Sequence, residues 1–154
     1  MNIKPVKKYS GILPAAAALL GSLVSGCSTV TVPELAPESV AGRIICLDDR
    51  FTQICERPVE GGQWSAWTDF KYGCVFDFPF DANNQYRTAL NPSETTCQTY
   101  KKTGPASAEI YYESAESTHT CYLKFETPTS GTATKEGYGE GNDYKQRGMK
   151  FSIR

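Results

Sequence analysis

Beyond Val40 the chain alternates apolar and polar positions with the period of two that pleated strands require. In residues 70–78 one face collects Phe70, Tyr72, Cys74, Phe76 and Phe78. In residues 108–113, Ala108, Ile110 and Tyr112 oppose Glu109, Tyr111 and Glu113. Residues 119–126 turn Cys121, Leu123 and Phe125 one way and Thr120, Tyr122, Lys124 and Glu126 the other. The last run places Met149, Phe151 and Ile153 inside, with Lys150, Ser152 and Arg154 outside. Turn chemistry separates the runs. Asp48-Asp49-Arg50 predicts a first hairpin, Gly61-Gly62 precedes Gln63-Trp64-Ser65-Ala66-Trp67, and Asn83-Asn84 suits a two-residue hairpin because asparagine tolerates positive φ. Asn91-Pro92-Ser93, Thr103-Gly104-Pro105, residues 114–117 and residues 128–131 continue the series. About eight to ten short strands at roughly ten-residue spacing, with no helical stretch between them, predict an all-β fold. Sequential short links favour an antiparallel up-and-down meander forming a small barrel or sandwich.

The start of the chain has a different pattern. Residues 1–10 are basic, residues 11–24 are apolar, and Val24-Ser25-Gly26-Cys27 follows. Fourteen residues in a helix span about 21 Å, short of a bilayer core of roughly 30 Å, and Pro14 and Gly21 weaken such a helix further. The order of basic start, apolar middle, small residues and cysteine resembles the lipobox of bacterial lipoproteins, in which the cysteine is acylated and becomes the new N-terminus. The resemblance implies a cleaved signal peptide over residues 1–26 and lipid attachment at Cys27. Ser28, in place of the aspartate associated with inner-membrane retention, implies the outer membrane. Residues 27–39, with Pro33 and Pro37 and no core pattern, are expected to form the acylated cysteine and an extended tether. Residues 40–154 then form the β-domain.

Within that domain a second resemblance rests on Ala41-Gly42-Arg43-Ile44, on residues 80–86, on residues 100–110, and on Leu123-Lys124-Phe125 with Ser130-Gly131-Thr132-Ala133. These turn and strand signatures are similar to a meander of secreted bacterial proteins and resemble lipocalin-like small barrels. The resemblance implies a fold and brings no catalytic residues with it.

Composition narrows the function classes. Lys+Arg is 16 and Asp+Glu is 17, and without the first 26 residues the net charge is −4, which argues against a nucleic-acid partner. A single histidine, His119, excludes a multi-histidine metal centre. It shares a strand face with Cys121 at about 7 Å, too far for a direct hydrogen bond, with no third orienting group in view. Asp77, Asp81, Asn83 and Asn84 lack the spacing of a calcium loop and are read as a polar turn. Residues 137–143 are glycine-rich without a strand-to-helix context, and are expected to form a flexible hairpin loop. No catalytic residue, metal or cofactor is assigned.

Apart from Cys27, five cysteines remain in a compartment that permits disulfides: Cys46, Cys55, Cys74, Cys97 and Cys121. Cys46 and Cys55 flank the predicted first hairpin and are expected to lie opposite each other as a disulfide, with Cys74 and Cys97 the other disulfide candidates. Cys121, on an apolar face, is the expected free thiol. The remaining signal is aromatic. Phe76 and Phe78, with Phe70 and Tyr72, are expected to line a cavity or fill a core, while Trp64 and Trp67 are placed on opposite faces of one strand. Trp64, Trp67, Tyr72, Phe76 and Phe78 are thus the candidate contacts for a ligand or partner. The expectation is a noncatalytic, monomeric envelope lipoprotein that binds a small apolar ligand or a protein. The alternatives are a structural accessory subunit of an envelope assembly and an inhibitor of a cell-wall hydrolase.

Overall fold

A computed structural model describes residues 31–91, 94–114 and 116–154. Cys27 and the lipobox lie outside the described residues, as do Pro92 and Ser93 of one predicted turn. Ten strands and no helix make up what is described: β1 (Ile44–Asp48), β2 (Gln53–Pro58), β3 (Thr68–Asp69), β4 (Val75–Pro79), β5 (Gln85–Asn91), β6 (Glu94–Gly104), β7 (Ser107–Glu113), β8 (Thr118–Thr127), β9 (Ser130–Gly139) and β10 (Asn142–Ile153). From β5 to β10 the chain is an antiparallel meander in which each strand pairs with the next. The alternation behind this expectation is realised on β7, β8 and the end of β10, where Ala108, Ile110, Cys121, Leu123, Phe125, Met149, Phe151 and Ile153 are all buried. Phe125 meets Phe151 edge-on at 4.9 Å in the middle of this core.

The first hairpin does not form. β10 pairs with β9 along one side and divides its other side, its first half taking β2 and its second half β1. A bulge between Gln146 and Met149, at Gly148 (φ +88), marks the division. There the buried Gln146 donates to Thr52 Oγ1 at 2.7 Å, and Thr52 Oγ1 donates to the Asp49 carbonyl at 2.8 Å. This polar knot turns the corner that Asp48-Asp49-Arg50 was expected to turn as a hairpin.

The same corner breaks the run over residues 70–78, which was expected to be one strand. Asp49 N–H donates to the Cys74 carbonyl at 3.1 Å, and Cys74 N–H donates to Asp49 Oδ1 at 2.6 Å. A Cβ on Gly73 would lie 2.3 Å from the Asp49 carbonyl oxygen, so only glycine permits the approach. The chain therefore turns between β3 and β4, and leaves Tyr72 85% exposed.

The sheet is not closed into the expected barrel, nor doubled into a sandwich. Among the described residues β4 pairs only with β1, and β5 only with β6. Phe78 and Tyr86 touch across the opening, with ring centroids 5.7 Å apart, but no backbone ladder joins the two strands. Asn84 has positive φ as expected (59°), yet the turn it serves joins two unpaired edges. Residues 137–143 also differ from expectation. Strand continues to a two-residue turn at Glu140 (φ 52°) and Gly141 (φ 80°), the geometry of a tight hairpin.

Residues 34–39, read from sequence as part of the tether, are docked on the domain together with Val40, the first residue of the expected β-domain. Ala36 and Val40 are buried, Leu35 and Ala36 N–H both donate to the Pro105 carbonyl, and Tyr100 donates to the Pro37 carbonyl at 2.7 Å. Lys102 pairs with Glu34 and Glu38, and the Asn84 side chain accepts from Ser39 and from Val40 N–H. The prolines keep the segment from joining the sheet, while its small apolar side chains fill one end of the core.

Candidate binding cleft

Cross-strand register builds the inner face in rows. One row runs Tyr100, Ile110, Cys121, Lys135, Gln146 and Ile54 from β6 to β2. The next, nearer the β7–β8 turn, runs Gln98, Tyr112, His119, Gly137, Tyr144 and Glu56. The inner face is thus aliphatic toward the docked segment and polar-aromatic toward the other end. A Cβ on Gly137 would stand 2.4 Å from both the His119 Cβ and the Thr118 carbonyl oxygen. Glycine is required there, and its missing side chain leaves the space between His119 and Tyr144 open.

A cavity of about 240 Å³ lies on the first row, walled by Leu47, Phe76, Phe78, Ile110 and Met149. A second of about 360 Å³ adjoins it, extending to Ile54, Phe70 and Tyr144. Tyr112, His119 and Lys135 line both. His119 stacks on Tyr112 at 4.3 Å with the rings 14° apart. Burial, reinforced by the Lys135 charge, pushes His119 down to about 4, so its imidazole is neutral at neutral pH. Burial raises the Tyr144 phenol to about 12 and the Cys121 thiol to about 11, leaving both protonated. Lys135 lies 5.6 Å from the centroid of the Tyr144 ring. Among the described residues no three His, Cys, Asp or Glu side chains converge on a point where a metal ion could sit.

The sequence-predicted residues divide. Phe78 packs against the core and Phe76, 43% exposed, joins it in the cleft wall, the two rings stacked at 6.0 Å. Tyr72 is exposed and meets Phe70 edge-on at 6.3 Å, and it lines neither cavity. Trp64 and Trp67 stand in no strand, so they do not take opposite faces of one. Trp64 lies between Arg57 (4.8 Å) and Lys145 (5.1 Å), and Trp67 under Arg147 (4.2 Å), on the outer side of β2 and β10. Cys46 pairs across from Ser152, and Cys55 across from Lys145. Seven residues of β10 separate those positions, about 23 Å, whereas a disulfide needs Cα atoms within about 7 Å. The expected Cys46–Cys55 bridge is therefore excluded in this fold. Nor are the other candidates, Cys74 and Cys97, bridged: all five described cysteines are free, with Cys55 and Cys121 buried, Cys46 and Cys97 half-buried and Cys74 exposed.

Sequence reasoning missed Lys135, Gln98, Tyr112, Tyr144 and Gln146 as cleft residues. Their signal was present as polar intrusions in a period-two pattern: Gly131, Ala133, Lys135 and Gly137 share one face of β9. The chain matches no protein-family model, no curated protein and no solved structure.

Proposed function

We propose that this chain is a noncatalytic lipoprotein of a bacterial outer membrane, anchored through Cys27, whose β-domain binds a small apolar ligand on the inner face of its open sheet. The observation that carries the reading is the cleft wall of Leu47, Phe76, Phe78, Ile110 and Met149, left accessible where β4 and β5 fail to pair. A concave, mostly apolar space with a few convergent polar groups is the usual form of a small-molecule site. The anchor is supported by the sequence order that ends at Cys27. With residues 34–40 docked, six residues lie between Cys27 and Glu34, a reach of about 20 Å that would keep the domain close to the bilayer surface. The test is extraction of protein purified from native envelopes, followed by mass spectrometry of the released small molecules. An apolar compound near equimolar with protein, and absent from a Phe76→Asp variant, is expected. Identical extracts from both proteins would overturn the reading, because lipid carry-over is common to both.

A second reading, an accessory subunit of an envelope assembly, is supported by the exposed Cys74 and by Tyr111, Tyr122 and Tyr138, all exposed. Nonreducing gels of envelope material test it. A reducible larger species that disappears in Cys74→Ser is its expected mark, and monomer throughout removes it.

A further inference from the structure

The cleft contains more polar chemistry than an apolar ligand needs. Lys135 occupies an inward position between Ala133 and Gly137, whose small size gives its side chain room. The ion pairs of the described residues leave it out, and its neighbour is the face of Tyr144. Of the two cavities it lines, the first also holds Gln98, the second Tyr144, and both hold Tyr112 and His119, and none of these four makes a side-chain hydrogen bond among the described residues. Asp49 faces the same cavity, but its Oδ1 accepts from Cys74 N–H at 2.6 Å and its Oδ2 faces Gln146 Nε2 at 3.4 Å. The remaining carboxylates, Glu56 and Glu140, line the outer cavity, which Lys135 shares, and neither forms an ion pair with it. Lys135 has three donors, two tyrosines and a glutamine can each donate, and a neutral imidazole adds one more. A set so rich in donors, with one cation that makes no ion pair above an aliphatic and aromatic floor, complements an acceptor-rich anion on an apolar body.

We propose that the cleft takes an anionic amphiphile whose head, a carboxylate or other oxyanion, is held by Lys135 with Tyr112 and Tyr144, and whose apolar body lies along Leu47, Phe76, Phe78, Ile110 and Met149 beside Gln98. The proposal rests on the reading of the cleft as a ligand site, and adds the charge and orientation of the ligand. Lys135 acts as counter-ion only, and no bond is made or broken.

Titration calorimetry of the full-length protein in nonionic micelles tests this with two probes of one ring system, naphthalene-2-sulfonate and naphthalene-2-methanol, with empty micelles as blank. The sulfonate is expected to bind at least about tenfold more tightly than the alcohol. Lys135→Met should erase that preference, and Lys135→Arg should keep most of it. A second measurement needs no variant: the sulfonate, and not the alcohol, should protect Lys135 from acetylation by an amine-reactive ester, read by mass spectrometry. Equal binding of both probes by the native protein, or a preference surviving in Lys135→Met, overturns the head-group assignment and leaves the apolar cleft standing. Binding of neither probe, with Lys135 unprotected, overturns the assignment and the cleft reading together.

Discussion

At the scale of single residues, burial sets the behaviour of the titrating groups on the inner face. Cys121 is 2% exposed and its thiol is pushed up to about 11, so almost no thiolate is present at neutral pH. Cys74, on the turn before β4, is exposed. Pulsed alkylation of the folded protein with peptide mapping should modify Cys74 first and Cys121 last, and denaturation should equalise them. His119 gives a pH prediction. Its folded value of about 4 lies below the ordinary value near 6.5, so the unfolded chain binds the extra proton between those two values. The contribution of neutral His119 is fully present above about pH 6.5 and is lost as pH falls toward 4, at most on the order of 3 kcal/mol. Thermal melts from pH 7 to pH 4 should show that decline. His119→Phe, which preserves stacking on Tyr112, should flatten it.

At the scale of elements, the strand β10 and the segment over residues 34–40 do the organising. β10 is shared by β9, β2 and β1, and its last half alone buries Met149, Phe151 and Ile153. Each such side chain contributes about 1.5–3 kcal/mol, and together they rival the whole stability of a small domain. Deletion of residues 148–154 should leave a chain with no cooperative melt by circular dichroism. The docked segment depends on Asn84, whose side chain accepts from Ser39 and Val40 while its backbone has positive φ. Asn84→Gly keeps the backbone geometry and removes the acceptor, a loss of about 1–2 kcal/mol. Limited proteolysis should then cut within residues 31–41 well before the sheet is attacked.

At the scale of the whole molecule, the open seam between β4 and β5 is what separates this domain from a closed barrel. Closure would pair Val75–Pro79 with β5 and cover the cleft; in its absence the aromatic wall at Phe76 remains accessible. The anchor belongs to the same scale. In cells fed a fatty-acid probe, Cys27→Ser should abolish incorporation and release the protein from the membrane fraction or leave it uncleaved. Probe retained on that variant would end the lipoprotein proposal.

What the sequence determined by itself is local. Period-two alternation placed Ile110, Cys121, Leu123, Phe125, Met149, Phe151 and Ile153 on inward faces, because each strand shows its pleat without reference to its neighbours. The turns at Thr103-Gly104-Pro105 and at residues 114–117 and 128–131 joined strands that pair, since short links leave antiparallel neighbours little choice. Other features depended on partners far along the chain. Whether Asp49 makes a hairpin or a corner was decided by Thr52, Gln146 and Cys74, the last two 97 and 25 residues away. Trp64 and Trp67 found cations on β2 and β10, and Ala36 found the end of a core that its own proline-rich segment does not advertise. The cleft was half legible: Phe76 and Phe78 could be read as inward aromatics, while Lys135 became a cleft residue only when β9 was seen between β8 and β10. A polar side chain at an inward position acquires meaning from what faces it, and only the tertiary structure supplies that.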